Sequence, residues 1–87
     1  MPGLVTWGAV LEMLRRCAPG FETRILTHRR LVTLNGRTYR ALNLGTHSDR
    51  GPRETSAEIP LGKVEGLIRH LQIDPNCART HLPQLRF

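Results

Sequence analysis

Three consecutive residues, His28, Arg29 and Arg30, define the chemistry to look for first. Histidine is the side chain whose ordinary pKa lets it give or take a proton near neutrality. An arginine guanidinium presents paired, planar N–H donors that match phosphate oxygens. A proton carrier beside fixed cations suits work on an anionic substrate. A lone histidine at a strand start is equally ordinary surface furniture, so its setting must decide. His47 stands in a polar stretch and is a second candidate proton carrier. His70 lies beside the apolar stripe of a helix and reads as packing or solvent. Cys77 and His81 have Cys-x-x-x-His spacing, but two ligands without a second pair do not make a zinc site. No metal and no cofactor is therefore expected, and Cys17 reads as a small buried hydrophobe.

The charge around these residues is localised. The chain of 87 residues has a net charge of +6. Between Arg24 and Arg53 stand seven arginines (24, 29, 30, 37, 40, 50 and 53) against one acid, Asp49; this segment carries the whole excess. Such a field favours an anionic partner and speeds its encounter. Arg29, Arg30, Arg37, Arg40 and, further on, Lys63 are the candidate phosphate contacts. Trp7 and Tyr39 are too few and too far apart for a base-stacking platform.

A chain this short makes one small domain, which buries only about 60–65% of its unfolded surface and leaves little room for a deep cavity. The site should therefore lie on the surface. Two cysteines 60 positions apart are few for a secreted domain of this size, so a reducing cytoplasm is expected. No stretch approaches the roughly 20 apolar residues of a membrane span, and no charged segment followed by an apolar run opens the chain.

The elements that must position the candidates follow from periodicity. Thr6 is a helix N-cap, followed by Trp7, Val10, Leu11, Leu14 and Ala18 on one stripe; Pro19-Gly20 ends the helix. Phe21 to Leu26 is a first short strand. His28 to Leu34 and Arg37 to Leu44 are two more, joined by Asn35-Gly36, the favoured pair for a two-residue hairpin turn. That turn sets Leu34 opposite Arg37, Val32 opposite Tyr39, Arg30 opposite Ala41 and His28 opposite Asn43. Both faces of the hairpin are mixed, so periodicity does not say which is the core. Gly45 to Glu58 reads as a long polar loop. A second helix begins near Pro60, with Val64, Leu67, Ile68 and Leu71 as its stripe. Gly66 would allow close packing on the sheet, and Gly62 would let a phosphate approach backbone N–H groups. The fold expected is α+β: a three-stranded antiparallel sheet in α-β-β-β-α order, with two helices on one face. Residues 1–73 form the domain and 74–87 a C-terminal tail.

This order and these motifs resemble the HicA toxin family of toxin–antitoxin systems, whose fold is that of double-stranded-RNA-binding domains. The likeness covers roughly residues 6–73. His28 opens the second strand, Asn35-Gly36 follows at the family's hairpin spacing, and Ile59-Pro60-Leu61-Gly62-Lys63 is similar to the element that begins its last helix. Val64 to Ile73 keeps that helix's apolar spacing. Leu26-Thr27 stands where the family has a glycine pair or Gly-Ser, and the loop before the last helix is longer. The resemblance implies a small cytoplasmic endoribonuclease that cleaves messenger RNA and is neutralised by a HicB-type antitoxin. Cleaving RNA through its own 2′-hydroxyl needs a base for that proton, an acid for the leaving oxygen and cations for the phosphorane charge. His28 would be the proton carrier, with Arg30 beside it on the same strand face as the phosphate cation, and with Arg29 and Lys63 contributing where loops and the helix N-terminus come close. The competing expectation is a module on the same fold that binds nucleic acid, or an acidic partner, without cutting.

Overall fold

The computed structural model describes residues 3–26, 29–43 and 57–85. The expected N-cap is in place: the Thr6 hydroxyl accepts from the Ala9 N–H at 3.2 Å and starts α1 (Trp7–Cys17). Trp7, Val10, Met13 and Leu14 are its buried residues, so Met13 takes the central place expected for Leu11, which is half-buried. Gly20, at φ +93°, turns the chain into β2 (Glu22–Ile25). β3 (Arg29–Leu34) and β4 (Arg37–Asn43) are joined by Asn35 (φ 54°) and Gly36 (φ 81°), the two left-handed residues that a type I′ turn requires. The three strands form an antiparallel sheet in the order β2-β3-β4.

The register departs from expectation at one point. Leu34 pairs with Arg37, Thr33 with Thr38 and Val32 with Tyr39, but Arg30 then pairs with Leu42 and Arg29 with Asn43. Arg40 and Ala41 thus oppose Leu31 alone, which is a β-bulge in β4. The bulge leaves Ala41 exposed and turns Leu42 into the core. The inner face consequently carries Val32, Leu34 and Leu42. The expected pair Arg30–Ala41 does not form, because one extra residue has been absorbed; Asn43 pairs with Arg29, and His28 lies outside the described residues.

α2 (Leu61–Leu71) covers the inner face of β4 and β3, burying Leu61, Val64, Leu67, Ile68 and Leu71. Its end is closed by Gln72 in the left-handed conformation and by the Ile73 N–H donating to Ile68 C=O at 3.0 Å. Gly66 has the packing role expected of it. A Cβ there would stand 2.6 Å from Tyr39 Oη. Burial around this phenol raises its pKa above the ordinary 10.0. Alanine would otherwise gain about 1 kcal/mol of helix propensity. Gly66→Ala is therefore expected to gain nothing in the native background. In Tyr39→Phe, which removes the colliding oxygen, it should gain about 1 kcal/mol. Urea unfolding of the four proteins reads that non-additivity, and equal effects in both backgrounds would refute the contact.

Two elements lie outside the expected layout. β1 (Leu4–Thr6) pairs antiparallel with β5 (Glu58–Pro60), flanked by Leu61 N–H to Gly3 C=O at 2.9 Å and Trp7 N–H to Ala57 C=O at 2.8 Å. The part of the expected long loop from Ala57 to Glu58 is therefore structured; its remainder lies outside the described residues. The expected tail is also corrected. Asp74 caps, and Pro75 opens, a third helix, α3 (Pro75–His81), which packs on α1. Ala78, Leu82 and Leu85 are buried in the common core, so the domain continues through the described C-terminal residues. Cys17 at the end of α1 and Cys77 in α3 form a disulfide with Cα atoms 5.8 Å apart. The expectation of a plain buried thiol at Cys17 is thereby overturned. No helix among the described residues is long and apolar enough to cross a membrane.

Candidate nucleic-acid interface

Strand alternation divides the arginine-rich segment between two faces. Along β3, Arg30, Val32 and Leu34 point inward, whereas Arg29, Leu31 and Thr33 point outward. Cross-strand pairing adds Glu22 and Arg24 from β2 and Thr38 from β4 to the outward face, and Arg40 stands beyond Thr38 on the same side. Glu22, Thr23, Arg24, Leu31, Thr33, Thr38 and Arg40 line an open groove of about 500 Å³ there. The Thr33 and Thr38 hydroxyls hydrogen-bond to each other across its floor at 3.0 Å. Arg24, Arg29 and Arg40 are exposed, and none makes a salt bridge among the described residues. By contrast, Arg15 and Arg16 on α1 are engaged by Glu12, at 3.2 and 2.9 Å. That pairing holds the Glu12 carboxyl below its usual pKa, the Arg16 hydrogen bond being the largest cause.

The groove thus brings two exposed cations, Arg24 and Arg40, together with Glu22 and the two threonine hydroxyls, and Arg29 adds a third cation further along the same face. Among the described residues it contains no aromatic platform: Trp7 is buried, Phe21 packs against the core, and Tyr39 lies on the α2 side against His70, with ring centroids 5.8 Å apart. The groups it presents are guanidinium and hydroxyl groups, the kind that meet phosphate and sugar oxygens, with no ring for base stacking among the described residues.

The candidates from the sequence fall in different places. Arg29 and Arg40 stand on the groove face. Arg37 is exposed at the hairpin tip, opposite Leu34. Lys63 is exposed on the first turn of α2, in the helix layer on the other side of the sheet. Arg30 is not a surface phosphate contact: it is 1% exposed, with its guanidinium carbon 4.9 Å from the centroid of the Trp7 ring. The physical reason is its inward place in the alternation, where the face of the indole compensates part of its lost hydration. His28 and His47 lie outside the described residues. The Leu26 N–H donates to Arg29 C=O at 2.8 Å, which brings the ends of β2 and β3 together on either side of Thr27-His28. Arg24, Thr33 and Thr38 were not singled out as site residues in the sequence, although the Asn35-Gly36 turn already implies the Thr33–Thr38 pair.

No family model, no curated protein and no solved structure matches the chain. The functional reading therefore rests on this surface and on the sequence motifs.

Proposed function

We propose that this protein is a small RNA-binding endoribonuclease of the HicA toxin type. In this reading it holds messenger RNA on the outward sheet face and cleaves it without metal through His28. The observation that carries the reading is the groove in which exposed Arg24 and Arg40 flank the Thr33–Thr38 hydroxyl pair, with exposed Arg29 further along β3 on the same face. His28 precedes Arg29 in the chain, so a proton carrier is tethered next to a phosphate-binding strand. The arginines would neutralise the phosphorane while His28 moves the 2′-hydroxyl or leaving-group proton. This work belongs in the cytoplasm, where messenger RNA is found. A HicB-type antitoxin is the partner that fits, since a basic face invites an acidic cover.

The experiment pairs binding with cutting. Labelled messenger RNA is titrated with wild type and with Arg24→Gln/Arg29→Gln/Arg40→Gln at several salt concentrations, in EDTA. The wild type should bind with a steep salt dependence. Each arginine that meets a phosphate of single-stranded RNA should contribute about 0.7 to the slope, so the triple variant should lose roughly 2. Fragments should appear with wild type and vanish with His28→Ala, whose circular dichroism stays native. Unchanged RNA affinity in the triple variant would sink the interface. If wild type binds but neither it nor His28→Ala cuts, the reading reduces to a binding module.

A further inference from the structure

Cys17, Cys77 and His81 meet at the contact between α1 and α3, outside the RNA-binding face. Cys77 and His81 are four residues apart on α3 and project from the same side of that helix. Cys17 comes to them from the last residue of α1. The two sulfurs and an imidazole nitrogen all lie within 4.8 Å of one another, and all three side chains are half-buried. The Cys-x-x-x-His pair, which lacks enough ligands alone, thus gains its third from a distant part of the chain.

We propose that the reduced protein binds one zinc ion through Cys17, Cys77 and His81, so that a disulfide and a metal are alternative fastenings of α3 to α1. In a tetrahedral site with Zn–S near 2.3 Å and Zn–N near 2.0 Å, ligand atoms stand about 3.5–3.8 Å apart. The imidazole nitrogen already lies within 4.8 Å of both sulfurs, and the sulfurs, bonded to each other in the disulfide, part on reduction to reach that spacing. Thiolate and imidazole together select a thiophilic borderline ion, zinc above calcium or magnesium. With three protein ligands and partial exposure, the fourth position falls to water, which leaves an exchangeable coordination site.

The exchange balances with a dithiol reductant. The reductant supplies two electrons and two protons, breaks the Cys17–Cys77 bond and closes into its own disulfide. The two protein thiols then lose their protons as both sulfurs bond to zinc, and two protons are released to solvent in all. In an oxidising setting the chain keeps its covalent bridge. In a reducing one it keeps the same helix contact through the metal.

Cobalt(II) is the probe, because thiolate ligation gives it charge-transfer and tetrahedral ligand-field bands. The full-length protein is reduced with a phosphine, moved anaerobically into metal-free buffer and titrated with Co(II), then with Zn(II). One equivalent of Co(II) should produce the bands, and Zn(II) should bleach them. The oxidised protein, Cys17→Ser and Cys77→Ser should each give no such spectrum. His81→Ala, checked for native circular dichroism in its oxidised form, should weaken binding at least tenfold. If reduction alone unfolds the chain, added Zn(II) should restore the native spectrum. The proposal is overturned if the reduced wild type takes no more Co(II) than the oxidised form. It is overturned equally if Cys77→Ser keeps the bands, if His81→Ala binds as tightly as wild type, or if a reduced unfolded chain ignores saturating Zn(II).

Discussion

Reducing the Cys17–Cys77 bridge in EDTA is expected to lower the unfolding free energy by about 4 kcal/mol. The bridge spans 60 positions, and a cross-link over a loop of that length removes much of the unfolded chain's freedom. Domains of this size have total stabilities in the range of roughly 5–15 kcal/mol, so the loss is a large fraction of the whole. Partial detachment of α3 would also expose Ala78, Leu82 and Leu85, which are buried in the core. Urea unfolding of oxidised and reduced protein measures the change. The denaturant slope should rise on reduction, because an unlinked chain exposes more surface when it unfolds. A change below about 1 kcal/mol would mean that α3 is held by its apolar contacts and that the cross-link is incidental.

Arg30→Ala should destabilise the protein by about 3 kcal/mol, whereas Arg30→Met should retain most of the stability. The alanine leaves a void against Trp7 and strips the indole of its cation; methionine keeps much of the aliphatic volume of the arginine stem. Unfolding followed by Trp7 fluorescence reports directly on the contact. The same variants separate the two faces of β3. Arg30→Met should leave RNA affinity unchanged at equal folded fraction, while Arg40→Gln should do the reverse. If Arg30→Met folds normally and loses RNA binding as Arg40→Gln does, then Arg30 meets RNA and the division of the arginines between faces is wrong.

Much of the scaffold was legible because its signals are local. Thr6 as N-cap, the Asn35-Gly36 turn and the Val64–Leu71 stripe each announce themselves within a few residues, and the α-β-β-β-α core follows from them. The core face of the hairpin was not legible. It is apolar only once the bulge has exchanged Ala41 for Leu42, and a bulge arises from pairing and packing that no two-residue period records. The same ambiguity let Arg30 stand as the phosphate contact on the face expected for His28, although Arg30 is the buried, inward residue and Arg29 on the opposite face is the exposed one. β1 and β5 escaped notice because three-residue strands carry almost no pattern, and their pairing joins distant parts of the chain. α3 could have been found: Asp74-Pro75 is a cap followed by the residue best suited to a first turn. Its pairing with Cys17 could not, since nothing in sequence separation tells a bridge from two solitary thiols.

The β1–β5 pair has an evolutionary consequence. Since Trp7 N–H meets Ala57 C=O, α1 and the three-stranded sheet form an excursion from one clasp, to which the chain returns before entering α2. Doubling the length of a closed excursion costs only about 0.6 kcal/mol in chain entropy. Adding residues between Asn43 and Ala57 therefore costs little in chain entropy. Selection can thus vary the length of the chain between Asn43 and Ala57 while the clasp and the core under it stay as they are.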